Sequence, residues 1–350
     1  MRSRRCKDYK NNFAHLLILK GNRKNMKGIT IESPHPECFN LAAIDIGSNA
    51  ARLLIKNVVR EEDGSLHFQK IQFVRFPLRL GIDVFRNGKV SKERKSQFIR
   101  MAKAFRQLMI IYDIAAYRAC ATSALRDAKN GEKIMKEISK NVGIDIEIIS
   151  GEEEAKIIYD NHIERLLALS AGEKDGKGKK TSFLYVDVGG GSTEISFISD
   201  GELKASSSFN VGTLRLLSGA VSEEMIESMC AEIRSLTEGF GSCTIIGSGG
   251  NINKLYRLVP KKSKLKERIT LSQLEKLYSA LSALSVEQRI RQFDLRPDRA
   301  DVIVPAALIF LSIAKAVGAT DIAVPTIGLS DGIINELAAQ MTWDSDVDKK

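Results

Sequence analysis

The sequence predicts an α/β protein made of two lobes of one design that face each other across a cleft. An apolar segment that runs into an aspartate and then a turn of small residues occurs twice: Leu41-Ala-Ala-Ile-Asp45-Ile-Gly47-Ser48-Asn49 and Leu184-Tyr-Val-Asp187-Val-Gly189-Gly190-Gly191-Ser192-Thr193. Each turn leads straight back into strand-like sequence, Ala51 to Ile55 and Ile195 to Ile198, so both read as β-hairpins with tight tips. Downstream of each hairpin the helical and strand-like periodicities alternate. The expected division is a basic tail over 1–39, a first domain over 40–160, a second over 161–342 whose last helix is free to pack back on the first, and a short tail over 343–350.

The elements follow in order. After the first hairpin comes an apolar strand, Leu66 to Val74, and a turn at Gly81. Ser91 to Tyr112 has helical spacing, with Phe98, Met101, Ala102, Phe105 and Leu108 on one side. Ala115 to Ala121 reads as a strand that ends in Thr122-Ser-Ala-Leu-Arg126, where Thr122 and Ser123 are candidate helix caps. A helix over 131–141 and a strand over 144–149 lead to Ser150-Gly-Glu-Glu-Glu-Ala and a helix over 155–169. Beyond a glycine- and lysine-rich loop at 171–180, the plan repeats: strands to Ser208, a helix over 222–240, a strand over 244–246, and Gly247-Ser-Gly249-Gly250-Asn251 opening another helix.

At 350 residues, 43% hydrophobic and 27% charged, the chain has the composition of an ordinary globular protein of two domains. Its net charge of +10 invites a nucleic-acid reading. Residues 1–30, however, hold nine Lys/Arg and one acid, a surplus of +8, which leaves +2 for the remainder. With no basic stripe interleaved with aromatics in that remainder, nucleic acid is not an expected partner. The tail is expected to be disordered, or to lie upstream of a start at Met26. No stretch reaches the roughly 20 apolar residues of a membrane span. Five cysteines without CxxC spacing support neither a zinc site nor a disulfide framework, so a reducing cytoplasm is the expected location. His15, His35, His67 and His162 lie outside every motif.

Five segments in order carry a resemblance over about 40–342: Ala43-Ile-Asp-Ile-Gly-Ser-Asn49, Ala121-Thr-Ser-Ala-Leu-Arg126, Ile149-Ser-Gly-Glu-Glu-Glu-Ala155, Val186-Asp-Val-Gly-Gly-Gly-Ser-Thr-Glu194 and Gly247-Ser-Gly-Gly250. Together they resemble the exopolyphosphatase and guanosine pentaphosphate phosphatase family of the actin and sugar-kinase superfamily. The resemblance implies two duplicated ribonuclease H-like, actin-like domains, Mg²⁺ dependence, a polyphosphate or guanosine pentaphosphate substrate, and a homodimer. Ala50 and Ala51 stand where many members have serine and an aromatic residue, and Asn251 where threonine is usual. Longer members continue into a C-terminal helical region with an HD-like domain, so processive degradation of very long chains is not expected here.

Hydrolysis of a terminal phosphoanhydride needs neutralised oxygens, an in-line water and a group that orients or deprotonates it. Gly47, Ser48 and Asn49 on one wall, with Gly189, Gly190, Gly191, Ser192 and Thr193 on the other, are candidate donors to phosphates; Asp45, Asp187 and Glu194 are candidates to hold Mg²⁺, directly or through water. Ser150 with Glu153 reads as a capping box, and Glu152 in the first turn complements the helix dipole. Glu154, with Ile157 and Ile158 at i+3 and i+4, borders the packed stripe and is the expected general base, with Glu152 the alternative; the resemblance places the family's catalytic glutamate at the same position. Arg126 suits a phosphate, Arg299 resembles a basic position that meets substrate in relatives, and Gly249 and Gly250 line the cleft or meet a guanosine. Gly328-Leu-Ser-Asp331-Gly332 resembles the family's closing turn, a structural feature. The rivals to polyphosphate hydrolysis are 5′-phosphohydrolysis of guanosine pentaphosphate, a non-catalytic sensor of such anions, and a sugar or acetate kinase.

Overall fold

The structure, a computed structural model, describes residues 38–160, 182–240, 243–260, 267–325 and 328–341. The N-terminal basic run and the loop at 171–180 lie outside the described residues. The first sheet is made of β1 (Cys38–Ile46), β2 (Ala51–Arg60), β3 (Leu66–Phe76), β4 (Ala116–Ala121) and β5 (Glu147–Ile148), in the order β3-β2-β1-β4-β5. β1 pairs antiparallel with β2 and parallel with β4. In the second sheet β6 (Ser182–Val188), β7 (Thr193–Ser199) and β8 (Glu202–Phe209) form the same meander, β9 (Cys243–Ser248) lies parallel to β6, and β11 (Asp321–Ala323) lies parallel to β9. Read as β8-β7-β6-β9-β11, it repeats the order of the first, with β10 (Arg268–Thr270) added at the edge. The central strands β1 and β6 read as unbroken apolar runs because both of their faces are covered; the edge strand β3 alternates.

Helices cover the sheets. In the first lobe these are α1 (Leu80–Asn87), α2 (Lys92–Ile111), α3 (Ser123–Asp127) and α4 (Gly131–Val142), and α5 follows at 151–160. In the second they are α6 (Thr213–Leu217), α7 (Glu223–Thr237), α8 (Gly249–Leu258), α9 (Leu271–Ser282), α10 (Val286–Phe293), α11 (Pro297–Ala300), α12 (Ile303–Ala316) and α13 (Leu329–Gln340). The seryl N-cap of α2 forms as its sequence requires, with Ser91 accepting from the Arg94 N–H at 3.2 Å. Phe98, Met101, Ala102 and Phe105 are buried beneath that helix. No described helix is long and apolar enough to cross a membrane.

Several local expectations are corrected. Gly81 does not make a turn: it lies in α1, where its missing side chain admits Phe85 and Leu214. Thr122 precedes α3 without a side-chain cap bond. The strand expected over 144–149 shrinks to Glu147 and Ile148, which pair in parallel with Cys120 and Ala121 of β4. The helix after Ser150 begins at Gly151, four residues early, and its residues beyond 160 are not among those described.

Each sheet has its own core on its helix-covered face, and a third apolar cluster joins the two lobes. This cluster includes Leu41, Ala43 and Leu54 of the first sheet, Phe183 and Tyr185 of the second, Ile157 and Ile158 of α5, and Ile333, Ile334 and Leu337 of α13. Helix α13, though it follows the last strand of the second sheet, packs on β1, β2 and β4 of the first. Ion pairs Lys56–Asp331 and Arg118–Glu336, both 2.6 Å, fix it there. Ile334 is fully buried in this shared cluster. Its truncation, Ile334→Ala, is expected to lower the unfolding free energy by about 2–5 kcal/mol, measured by urea denaturation; a loss under about 0.5 kcal/mol would show that the two lobes do not share this core.

Candidate active site

The two hairpin tips are built alike. The Gly47 N–H donates to the Ala50 carbonyl at 3.1 Å, and the Gly189 N–H donates to the Ser192 carbonyl at 2.9 Å. Those two amides close their turns, so they are not the phosphate donors expected of them. Thr193 is corrected in the same way: its hydroxyl is fully buried and donates to the Val211 carbonyl at 2.5 Å. Among the described residues, the N–H groups of Ser48, Asn49, Gly190 and Gly191 meet no carbonyl, and these remain as donors. The Asn49 side chain reaches across the lobes, donating to the Asp298 carbonyl at 3.1 Å.

The tips touch. A Cβ on Gly191 would lie 2.2 Å from Ser123 Oγ, 2.5 Å from Phe85 and 2.8 Å from Ser48 Oγ, so only glycine permits the approach. The second tip is braced from behind: the Thr213 and Leu214 N–H groups donate to the Gly189 and Gly190 carbonyls at 3.1 and 2.7 Å. Arg215 donates to the Gly191 carbonyl at 2.8 Å, pairs with Asp127 of the first lobe at 2.5 Å, and lies 4.2 Å over the Phe85 ring.

The antiparallel registers place Asp45 opposite Arg52 and Asp187 opposite Glu194. At these equivalent positions the first hairpin carries an ion pair and the second two like charges. Glu154 enters from the first turn of α5. Burial raises its pKa well above the ordinary carboxyl value, and Glu194, Asp187 and Asp45 push it further, against Arg126. Its Oε2 is sealed from solvent with no hydrogen-bond partner. Burial also raises Asp187, to about 6, against the pull of Arg52 and the Ser248 hydroxyl, which donates to it at 3.2 Å. Glu194 is raised mainly by burial and by Asp187, while hydroxyls of Ser192 and Ser208 lower it, the latter donating at 3.1 Å.

The neighbouring glutamates point elsewhere. The Glu153 backbone N–H donates to the Ser150 hydroxyl at 3.0 Å, but the Glu153 carboxylate pairs with Arg118 at 2.8 Å, so the capping box is only half formed. Glu152 is exposed, and hydrogen bonds from its own backbone N–H and from Ser150 lower its pKa. Of the three, only Glu154 joins the carboxylate group. Arg126, half-buried, donates to the Ile149 carbonyl at 2.9 Å and acts on both Glu154 and Glu194.

Across the cleft, Arg299 lies over Gly250 and donates to the Asn251 carboxamide, the residue that replaces the usual threonine. Burial, together with the neighbouring Arg75 and Arg52, lowers Arg299 to about 10. Gly249 adopts φ +92°, and a Cβ there would stand 2.6 Å from Asp187 Oδ1, so glycine is required beside that carboxylate. Arg52, Arg75 and Ser208 were not singled out from the sequence. Arg52 was legible from the hairpin register, two residues beyond the tip on the partner strand; Arg75 faces Arg52 in the β2–β3 register, and Ser208 faces Glu194 in the β7–β8 register. Among the described residues no three metal-binding side chains form a preformed cage. The all-oxygen carboxylate set, its members destabilised by one another, nevertheless suits a hard cation that keeps water ligands, as Mg²⁺ does.

Two sheets of one plan, closed over a carboxylate cluster between glycine-rich tips, define a two-lobed protein of the actin-like fold. The profile of the Ppx/GppA phosphatase family matches residues 57–341, and the chain belongs to that family. It is 30% identical over 310 residues to a guanosine-5′-triphosphate,3′-diphosphate pyrophosphatase of Aeromonas hydrophila, matching 84% of this chain and spanning 58% of that relative's length. It is 25% identical to exopolyphosphatase 1 of Mycobacterium tuberculosis over 85% of this chain and 87% of that one. Among solved structures, the Aquifex aeolicus Ppx/GppA family member superposes with a TM-score of 0.66 at 25% identity, covering 87% of this chain and 99% of that one. An exopolyphosphatase from Cytophaga hutchinsonii shares the fold with a TM-score of 0.72 at 22% identity, covering 87% and 99%.

A carboxyl whose folded-state pKa is raised favours folding while protonated, an advantage complete below its unfolded value and lost once pH passes the folded one. For Asp187 that window runs from 3.8 to about 6. The metal-free Asp187→Asn variant is therefore expected to gain melting temperature relative to the parent as pH rises from 4 to 7, by calorimetry in chelator. A difference constant with pH would show that burial does not hold this carboxyl high. Gly191→Ala is expected to keep the tips apart and to lower turnover by about 10²-fold, since displacements near 1 Å at a reacting site have effects of that size.

Proposed function

We propose that the chain hydrolyses the terminal phosphoanhydride of inorganic polyphosphate, releasing orthophosphate. The observation that carries the reading is Glu154: a buried carboxylate with an unpartnered oxygen, among other carboxylates and beside Arg126, where two donor-bearing tips meet. Anion binding alone would not gather four acids at this point, which speaks against a mere sensor.

In this reading Ser48, Asn49, Gly190 and Gly191 hold the oxygens of the last phosphates through their N–H groups. Arg126 sits against the terminal phosphoryl group, where a guanidinium offers paired donors. Glu154 accepts a proton from water as that water's oxygen bonds to the terminal phosphorus; the bridging P–O bond breaks, its electron pair leaves with the shortened chain, and orthophosphate is released. Asp187 and Glu194, with Asp45 through water, would hold Mg²⁺. That cation would supply charge neutralisation, offsetting the mutual repulsion of the acids, easing ionisation of Glu154 and screening the phosphate oxygens. Asp45 is already paired with Arg52, which leaves the second hairpin's acids the better ligands.

A second reading, release of the 5′-terminal phosphate of guanosine pentaphosphate, uses the same bond cleavage. It is supported by the similarity to the Aeromonas guanosine-5′-triphosphate,3′-diphosphate pyrophosphatase. We also propose a cytoplasmic location, from the cysteine pattern, and a homodimer, from the family resemblance. Purified protein is expected to release phosphate from polyphosphate in the presence of Mg²⁺, and Glu154→Gln to lower kcat by about 10²–10⁴-fold, the range for loss of a general base. Full turnover in that variant would refute the base assignment; tight polyphosphate binding without phosphate release by the parent protein would favour the sensor.

A further inference from the structure

Outside the carboxylate cluster, the first lobe has a groove of ≈ 520 Å³ that starts at Arg126 and runs outward along α4. Its charged lining is Arg126, Lys129, Lys133 and Lys136 against a single acid, Glu132. Lys133 and Lys136, three residues apart on α4, share one face of that helix, and Lys129 stands in the turn before it with its side chain against Gly88. The acid does not neutralise this lining. Glu132 meets Lys136 at 3.6 Å, with both side chains about four-fifths exposed, and an ion pair so exposed is weak.

The basic lining is a local feature. Residues 31–350 carry a surplus of only +2, yet four cations line this one groove. Its inner end is fixed by function, because Arg126 acts on both Glu154 and Glu194. Beyond α4 the basic lining continues: a second groove of ≈ 480 Å³ is lined by Lys92, Lys95, Arg100 and Lys103 of α2, and Lys95 pairs with Glu137 of α4 at 2.5 Å. A linear polyanion, charged along its whole length, matches a groove lined by four cations that include Arg126 at the reacting group. A nucleotide, with a short charged tail and an aromatic base, does not, since the first groove has no aromatic side chain to stack on a base.

Resting on the phosphoanhydride reading above, we infer that the α4 groove is the binding track for the trailing phosphates of a linear polyphosphate. The chain enters over Lys136 and Lys133, passes Lys129, and presents its terminal phosphate beside Arg126. The track makes the enzyme prefer long chains through binding rather than through the chemical step.

The experiment compares the full-length parent with Lys133→Gln/Lys136→Gln, both positions being exposed and outside the reacting group. Steady-state phosphate release is measured on long-chain polyphosphate and on tripolyphosphate. Loss of two charge contacts is expected to raise KM for the long chain about tenfold at low salt, with kcat unchanged and tripolyphosphate kinetics unaltered. The rise should shrink with added salt. An unchanged long-chain KM overturns the track, as does an equal rise for tripolyphosphate. If the parent releases phosphate from neither substrate, the hydrolase reading fails by itself, and the track is decided by fluorescence-monitored binding of labelled long-chain polyphosphate. Binding weakened in the double variant supports it; equal binding overturns it. Displacement of that label by a single-stranded oligonucleotide of equal charge at equal concentration would overturn the polyphosphate assignment.

Discussion

The contact between the two small-residue tips is the constraint on which the rest of the structure depends. Gly190 and Gly191 lie so close to Ser48, Asn49 and Ser123 that an added methyl group has no room. The lobes therefore close to a separation set where the second tip meets side chains of the first lobe and the Asn49 backbone. That separation places Glu154, which rides on α5, among acids carried by hairpins of both lobes. The ion pairs between lobes lie around this contact: Arg75–Asp298, Arg79–Asp301 and Arg215–Asp127. The shared apolar cluster of α5 and α13 closes it from the opposite side.

The duplication is exact in topology and broken in charge. Asp45 and Asp187 occupy equivalent strand ends, but Arg52 faces the first and Glu194 the second. One hairpin is thereby electrostatically satisfied, while the other is left with carboxyls that burial and mutual repulsion hold partly protonated. Unfavourable charge of this kind is a poor way to stabilise a fold and a suitable way to hold a cation or a proton. The asymmetry gives the two halves of a repeated design different work.

Much of this was legible in sequence. The hairpins were readable because an apolar run, an acid and a glycine turn are local signals, and two copies remove most of the ambiguity. Glu154 was readable because helical spacing from Ile157 and Ile158 fixes which side of α5 it occupies. Gly81 misled, since a glycine inside a short helix looks like a turn until Phe85 and Leu214 are seen packed on it. Thr193 misled in the opposite direction: its position in a glycine-rich tip suggested a donor to phosphate, and the fold turned its hydroxyl inward to Val211.

The sequence alone determined the repeated α/β plan, the two tips and the identity of the acids, because each follows from periodicity and turn chemistry within about ten residues. It could not decide that the Asn49 carboxamide reaches the Asp298 carbonyl, that Arg75 pairs with Asp298, or that Gly190 and Gly191 lie against Ser48. Those facts depend on how two sheets nearly 150 residues apart in the chain are set against each other. Only the tertiary structure decides that, because interlobe distance is fixed by side chains that have no local relation to one another.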